Sequence, residues 1–267
     1  MTDAELAAFL AQEAGRMLLV LQQSGQFADK ALGEEGDRIA NDFLMGMLRM
    51  RRSGDGMLCE EERDNLNRLD SERVWIIDPL DGTREFGERR GDWAVHVALA
   101  VNGEPVVGAV ALPGLGLLLR SDLPIWVPPA PERLRMVVSR SRPAAEAMAV
   151  ASELDAEVIP MGSAGAKAMA VVRGEADVYL HSGGQYEWDS CAPVAVALAC
   201  GLECLAYVVS DRQYAAYIPA VVAINIPLAG IEGVLTASTA VFLARVRPEL
   251  IHRSRPLNHV DEALHVS

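Results

Sequence analysis

The chain has 267 residues, 51% of them hydrophobic, so it can form a sizeable core, and wholesale disorder is excluded. The formal net charge of −13 disfavours a nucleic-acid partner, because sequence-independent affinity for a polyanion comes from basic side chains. The acidic first residues, the absence of a membrane-length apolar run and the four cysteines without zinc-type spacing favour a cytoplasmic protein that contacts no membrane.

The first part of the chain predicts two amphipathic helices followed by strands. Apolar positions recur at helical spacing over 4–23, where Thr2 and Glu5 are placed for a capping box. The pattern returns over 38–50, with Asp37 at the expected N-terminus. Short apolar runs then predict strands over 74–77, 93–101, 106–112 and 115–120.

A proline-rich stretch, 123–133, predicts a connection between two halves, 1–130 and 131–267. The first half would carry most of the chemistry-bearing acids. Beyond the connection strands and helices alternate, which predicts a mixed α/β fold with layered packing. The strands are predicted at 135–138, 156–161 and 177–181, and the helices at 143–152, 164–173 and 189–200.

The sharpest chemical signal is the run Asp78-Pro79-Leu80-Asp81-Gly82-Thr83, directly after an apolar strand. Two carboxylates around a proline turn can converge on one point, and the Leu80 carbonyl can add a further hard oxygen ligand for Mg²⁺ or Mn²⁺. Gly82 permits close backbone approach, and the N–H groups of Gly82 and Thr83 could cradle a phosphate. The alternative is an Asp-rich turn capped by its own side chains.

Two more acidic stretches can join this motif. Taken alone, Cys59-Glu60-Glu61-Glu62 is typical of a solvated loop, and the aspartate of Trp188-Asp189 is typical of a helix N-cap. Taken together, the acids suffice for two divalent cations, which would clamp the attacking and leaving oxygens in phosphoryl transfer. The set is Glu61, Asp78, Asp81 and Asp189.

These motifs resemble those of the Mg²⁺-dependent, lithium-sensitive phosphatases, a superfamily that includes inositol monophosphatase, fructose-1,6-bisphosphatase and the bisphosphate nucleotidases. The resemblance covers residues 4 to about 201. It implies a five-layered α-β-α-β-α sandwich of the sugar-phosphatase type. It also implies two or three Mg²⁺ ions, with Mn²⁺ as a substitute and Li⁺ as an inhibitor, and a metal-activated water as the nucleophile.

The resemblance also implies roles for individual residues. Glu61, Asp78 and the Leu80 carbonyl would hold the first metal, with Glu61 also counted as catalytic. Asp78, Asp81 and Asp189 would hold the second. Thr83, hydrogen-bonded to Asp37, would orient the attacking water. Lys30 matches a family lysine near that aspartate, and Glu60 and His181 are further candidates.

Within the superfamily the chain is similar to the CysQ type, on the residues Arg84-Glu85-Phe86 and Gly162-Ser163-Ala164-Gly165-Ala166-Lys167. This implies removal of the 3′-phosphate from 3′-phosphoadenosine 5′-phosphate, giving AMP and phosphate. Seven residues before Asp189 the inositol type has a glutamate, and this chain has Ser182. The substrate contacts would be Gly82, Thr83, Arg84, Ser163 and Lys167.

Other functions stay open at this point. One is an inositol-1-phosphatase or fructose-1,6-bisphosphatase of broad specificity, and another is an inactive protein that only binds a phosphorylated ligand. The expected partner is a small phosphorylated substrate, and the chain could form a homodimer. Lys30 and Lys167 are the only lysines among 24 basic residues, which favours a role for each near the site. His96 is interpreted as a core or rim histidine of a strand.

The resemblance ends in the segment 205–267. This segment has as many arginines as acids and only two of the 22 glycines, Gly230 and Gly233. Val208-Val209 and 221–224 are candidate strands, but the turn expected before the last strand is missing. We expect this segment to be atypical for the family, through divergence or a frameshift.

Overall fold

The computed structural model describes residues 1–64, 66–181, 184–204 and the backbone of 223–224. These residues belong to one compact unit, Met1–Asn225. The division into halves 1–130 and 131–267 stays a prediction. Among the described helices, none combines the length and apolar character that a membrane span requires.

Two long helices open the chain. Helix α1 spans Asp3–Ser24, and its predicted capping box is confirmed, since Glu5 N donates to Thr2 Oγ1 while Thr2 N donates to the Glu5 carboxylate. Helix α2 spans Asp29–Arg51. It begins well before the predicted start at 38, so Asp37 lies on a buried face in mid-helix and the N-terminal placement was wrong. The first turns showed no apolar periodicity, because their buried positions are Leu32, Gly33, Gly36 and Asp37, with only one large apolar side chain among them.

The first sheet follows. Its strands lie in chain order, with β1 parallel to β2 and the remaining neighbours antiparallel. The four-residue strand β1 and the short helix α3 were not predicted, since neither is long enough to show a periodicity. The bounds are β1 Gly56–Cys59, β2 Arg73–Asp81, α3 Thr83–Gly87, β3 Ala94–Val101, β4 Glu104–Leu112 and β5 Leu117–Arg120, with 3₁₀ turns at Asn67–Asp70 and Pro113–Leu115.

The second sheet has the order β7-β6-β8-β9, with β6 parallel to both β7 and β8. The predicted strand 177–181 shortens to β8, and β9, within the candidate strand 221–224, pairs antiparallel with it. The other calls on 205–267 lie outside the described residues. The bounds are β6 Arg135–Ser139, α4 Ala145–Glu153, β7 Glu157–Met161, α5 Ala164–Val172, β8 Val178–Tyr179, α6 Glu187–Ala199 and β9 Ala223–Ile224.

The layer order follows from the two faces of the first sheet. Alternate residues such as Trp75 and Val97 pack with α1 and α2, whereas Ala94 and Ala98 belong to a second core with α5 and α6. Right-handed crossovers through α4 and α5 run in opposite directions across the second sheet, which puts these two helices on its opposite faces. The predicted five-layered α-β-α-β-α sandwich is confirmed, with α5 and α6 in the middle layer.

Small residues on the inner face of the first sheet, above all Gly108, let α6 approach closely. A Cβ added at Gly108 in β4 would lie 2.5 Å from the Ala192 carbonyl oxygen and 2.8 Å from the Ala195 Cβ. Both are atoms of α6, and one belongs to the backbone, so neither can move cheaply. The position of α6, which carries Asp189, therefore depends on a missing side chain at residue 108.

We expect Gly108→Ala to lower the free energy of unfolding by about 1–3 kcal/mol, because the added methyl group overpacks the contact with α6. Gly46→Ala is the matched control. Gly46 lies on the exposed face of α2 with nothing within 4 Å of an added Cβ, so that variant should gain up to about 1 kcal/mol of helix propensity. Urea unfolding measures both, and a Gly108→Ala protein as stable as the wild type would contradict the close packing.

Candidate active site

The Asp78 and Asp81 side chains lie on the same face of the first sheet. Residues three apart in a regular strand point to opposite faces. Here the pairing of β2 with β3 shifts between them, so that Asp78 is opposite His96 and Asp81 is opposite Ala94. The extra residue of this bulge turns both carboxylates toward the middle helical layer. Gly82 follows with a φ of 92°, which glycine adopts readily.

Asp81 receives several donors from the start of α5. Its Oδ2 accepts from the Ser163 hydroxyl at 2.5 Å and from the Gly165 N–H at 2.5 Å, and its Oδ1 accepts from the Ala164 N–H at 3.0 Å. Burial opposes ionisation, but the adjacent His96 ring, the hydrogen bond from Ser163 and the charge of Lys167 outweigh it and lower the pKa of Asp81. Asp81 is thus a charged carboxylate held by a helix N-terminus.

A fully buried histidine, His96, stands beside both aspartates. Its Nε2 is 3.3 Å from Asp81 Oδ2, and its Nδ1 is 3.9 Å from Asp78 Oδ2. Among the described residues, these three offer ligand atoms that all lie within 4.8 Å of one another. The interpretation of His96 as an ordinary strand histidine missed this position, although its place opposite Asp78 in the next strand could have signalled it.

The glutamate that reaches this cluster is Glu60. Glu60 and Asp78 perturb each other's ionisation, whereas Glu61 acts on Asp37, on which Glu60 also acts. This favours Glu60 beside Asp78, and the metal-binding role expected for Glu61 stays a prediction. Burial and then repulsion between the acids raise the pKa of Asp78 and of Asp189. The predicted Asp189 therefore interacts electrostatically with the acids of β2.

Asp37 and Thr83 come together on the other side of the motif. The Thr83 hydroxyl can donate to Asp37 Oδ1 at 3.4 Å or to the Leu80 carbonyl oxygen at 3.2 Å. Burial, followed by repulsion from Glu61, raises the pKa of Asp37 to about 8. A carboxyl with such a pKa can accept a proton near neutral pH.

A cavity of about 430 Å³ opens beside the acids. Lys167 lies in its wall and is 6% exposed, with its Nζ donating to the carbonyls of Gly162 and Ser163. Burial lowers the pKa of Lys167, although Asp81 opposes the shift. The lining includes Asp81, Asp189, Ser139, Arg142, Ser163, Lys167, Tyr179, His181 and Gln185.

Not every predicted residue reaches this cavity. Lys30 is 90% exposed, pairs with Glu34 and is not among the described lining residues, so its expected role stays a prediction. Arg84 is 67% exposed, pairs with Glu88 and is not among the described lining residues. Both had been assigned from their place in the sequence, which does not determine which side of a helix they occupy. His181 does line the cavity, while Ser182 lies outside the described residues.

The donor set fits a divalent metal ion. Asp78, Asp81 and the nearby Glu60 and Asp189 offer hard carboxylate oxygens, which suit Mg²⁺ or Mn²⁺. Burial and mutual repulsion raise the pKa values of Asp78, Glu60 and Asp189 in the metal-free chain. A cation held among these acids would relieve that repulsion.

The comparisons with known proteins agree with this geometry. Over 217 residues, 76% of this chain and 80% of the relative, the chain is 48% identical to a 3′-phosphoadenosine 5′-phosphate phosphatase of Mycobacterium leprae. It is 29% identical to the 3′(2′),5′-bisphosphate nucleotidase CysQ of Escherichia coli over 65% of this chain and 76% of that one. The crystal structure of CysQ from Bacteroides thetaiotaomicron matches with a TM-score of 0.67 and 25% identity, covering 84% of this chain and 98% of that one.

The family model described as the inositol monophosphatase family matches residues 3–122 and 132–239. The second match includes the start of α6 and extends into the segment expected to be atypical. With the bulged acidic motif, the layered fold and these relatives in agreement, the chain belongs to the inositol monophosphatase family.

Proposed function

We propose that this protein is a metal-dependent phosphomonoesterase that removes the 3′-phosphate of 3′-phosphoadenosine 5′-phosphate. The observation that carries the proposal is the buried cluster of Asp78 and Asp81 next to a cavity that Asp81 and Asp189 line, with Glu60 perturbing the ionisation of Asp78. The inositol monophosphatase family is metal-dependent and acts on small phosphorylated substrates. A binding protein without turnover would not need Asp37 and Thr83 arranged for proton transfer next to the acids.

Two features of the chain support this substrate. The Mycobacterium leprae relative, 48% identical, is named for it. The cavity also contains the basic residues Arg142 and Lys167 together with the acids Asp81 and Asp189. A substrate with two phosphates could place one at the acids, through a cation, and the other at the basic residues. The volume of about 430 Å³ lies in the range of small-molecule sites.

The residues of this chain would divide the work as follows. Glu60, Asp78, Asp81, Asp189 and the Leu80 carbonyl would hold the metal, with Glu60 in the role first expected for Glu61. A bound divalent cation supplies Lewis acidity and lowers the pKa of a water molecule. Thr83 would orient the attacking water and accept its proton as it passes its own proton to Asp37 Oδ1. Lys167 would attract a phosphate as a point charge.

Mg²⁺ is our choice of metal because the proposed ligands are all oxygen atoms. Mn²⁺ suits the same donors. The number of ions, inhibition by Li⁺, a homodimeric assembly and a cytoplasmic location stay predictions. The substrate role of Gly82 and of Ser163 also stays a prediction, with the Ser163 hydroxyl already donating to Asp81.

We expect Asp78→Asn to lower kcat/KM about a thousandfold, because the metal loses a charged ligand. This factor corresponds to a loss of several kcal/mol of transition-state stabilisation. Phosphate release measured with Mg²⁺ and with EDTA checks this. Asp70→Asn, which removes one exposed acid outside the site, should behave as the wild type. Activity that survives both EDTA and Asp78→Asn would contradict the metal mechanism.

We expect kcat/KM to be higher for 3′-phosphoadenosine 5′-phosphate than for inositol 1-phosphate or fructose 1,6-bisphosphate. The reason is that Arg142 and Lys167 can bind the second phosphate of this substrate. In addition, Ser182 replaces the glutamate expected of an inositol site. Parallel assays of the three substrates decide the assignment. A tenfold preference for inositol 1-phosphate, about 1.4 kcal/mol, would overturn it, and binding without turnover would identify a ligand-binding protein.

We expect Lys167→Met to raise KM by about tenfold with a smaller fall in kcat, because the variant removes a charge near the phosphate and keeps the side-chain stem. Arg84→Met is the matched control, since Arg84 is exposed and paired with Glu88. Steady-state kinetics of the two variants provide the measurement. Equal KM values for Lys167→Met and the wild type would remove Lys167 from the substrate site, and a raised KM for Arg84→Met would restore Arg84 to it.

A further inference from the structure

One basic residue of the cavity wall, Arg142, lies on the short turn between strand β6 and helix α4. Its guanidinium makes no hydrogen bond within the described part of the chain. Its neighbours Ser139, Ser141 and Ala144 also line the cavity. An arginine side chain has many rotamers, so the place that its charge reaches depends on how firmly the backbone beneath it is held.

Hydrogen bonds hold the backbone of this turn. The Arg140 N–H donates to the Met161 carbonyl oxygen at 3.0 Å, which joins the turn to β7. The Arg142 N–H donates to the Ser139 hydroxyl at 3.2 Å. Pro143 follows directly, and a proline disfavours helical backbone angles at the residue before it. The Arg142 side chain therefore starts from a restricted backbone position.

The side chain of Arg140 attaches the turn to the segment that follows the acidic motif. Its Nε and Nη2 donate to Glu85 Oε1 at 3.1 and 2.8 Å, and Nη2 also donates to Glu88 Oε2 at 2.7 Å. Glu85 is buried and belongs to α3, which begins directly after Gly82. Gly162 leaves room for it, because a Cβ at that position would lie 2.2 Å from the Glu85 Cγ.

The contact of Arg140 with the two glutamates restrains direction as well as distance. A guanidinium carries its donors in a rigid planar fork, so two carboxylates that accept from it define its orientation. The Arg140 side chain is 23% exposed and that of Glu85 only 8%, so water competes little for the hydrogen bonds between them. Arg140 is not among the described residues that line the cavity, whereas Arg142 is. An effect of Arg140 on a ligand would therefore pass through the turn.

We propose that Arg140 is a positioning residue, which anchors the turn 139–142 to Glu85 and Glu88 so that Arg142 meets the second phosphate of the substrate. This inference rests on the proposed function, because that function supplies the second phosphate. The reacting phosphate lies at the acids. Arg140 therefore affects the affinity for nucleotides with two phosphates and leaves the chemical step to other residues.

Kinetics with two nucleotides test this role in the full-length protein. Adenosine 3′-monophosphate carries the reacting phosphate and lacks the second one, so the ratio of the two kcat/KM values measures the preference for the bisphosphate. Arg140→Met should lower this preference about tenfold, mainly by raising KM for the bisphosphate. A wild-type protein without a preference, or an Arg140→Met protein with the wild-type preference, would overturn the proposal.

The matched control is Arg133→Met. Arg133 pairs with Asp155 near the other end of β6 and is 63% exposed, so this variant also removes one paired arginine next to the same strand. It should keep the wild-type preference. A loss of preference equal to that of Arg140→Met would show a general effect of lost charge and overturn the positioning role.

A double variant shows whether Arg140 acts through Arg142. Arg142→Met removes the positioned charge itself and should lower the preference at least as much as Arg140→Met. Adding Arg140→Met to Arg142→Met should cause no further fall, because the residue that Arg140 positions has already lost its charge. Losses that multiply in the double variant would mean that Arg140 acts independently of Arg142, and would overturn the proposal.

A second variant covers the case in which Arg140→Met does not fold. Arg140→Lys keeps the charge, but an ammonium group cannot reproduce the planar fork. The preference should then fall at least about threefold, since hydrogen bonds to one or both glutamates are lost. An Arg140→Lys protein with the wild-type preference would overturn the proposal.

Hydrogen–deuterium exchange of the segment 139–144 tests the anchoring without any substrate. Backbone amides of this segment should exchange faster in the folded Arg140 variant than in Arg133→Met, because the turn has lost its attachment to the glutamates. Equal exchange rates would overturn the proposal. Wild-type protein that does not hydrolyse the bisphosphate would contradict the proposed function, and the exchange rates would then still decide whether Arg140 anchors the turn.

Discussion

The contact between Asp81 and the N-terminus of α5 is the interaction on which both the site and the middle layer depend. The carboxylate accepts hydrogen bonds from Ser163, Ala164 and Gly165 at distances from 2.5 to 3.0 Å. Such charge-assisted bonds are shorter and stronger than neutral ones. They satisfy N–H groups that every helix leaves without a partner in its first turn. Ser163 keeps a φ of 48°, an uncommon value for a residue other than glycine, and its hydroxyl holds it there.

Two acids that follow Asp81 in the chain also accept hydrogen bonds from the part of the chain around the second sheet. Glu85 accepts from Arg140 at 2.8 Å, and the Asp92 carboxylate accepts from the Gly162 N–H at 2.7 Å. In each case the acid belongs to the part of the chain around the first sheet, and the donor to the part around the second. The excess of acids in the chain therefore has a structural use, because some of them join the sheets beside the cavity. Breaking one such pair would leave a partly buried charge without its partner, which is more destabilising than never having had the pair.

The sequence predicted the fold class and the main acids because these signals are local. The run from Asp78 to Thr83 is contiguous, so its two carboxylates around a proline could be recognised without information from distant residues. The sequence could not decide whether Glu60 or Glu61 lies beside Asp78. The two neighbouring glutamates have the same side chain, and only the conformation of the turn determines where each one points. His96 was overlooked for a similar reason: strand alternation shows that a residue faces inward, but the residue it meets belongs to α6, almost a hundred positions away. The exposed positions of Lys30 and Arg84 depend on how their helices pack, which composition does not reveal.

The tightly packed contact between Gly108 and α6 differs from the part of the cavity wall that lies in loops. At Gly108 the backbone of α6 lies directly against the sheet, so close packing fixes the separation between this helix, which carries Asp189, and the strands. The cavity residues Arg142, His181 and Gln185 lie outside that contact, in segments between regular elements. Mutations there can alter which molecule fits without disturbing the spacing of the acids. Substrate specificity can therefore change during evolution while the catalytic acids keep their arrangement. Engineering of a new substrate specificity should begin at these cavity residues.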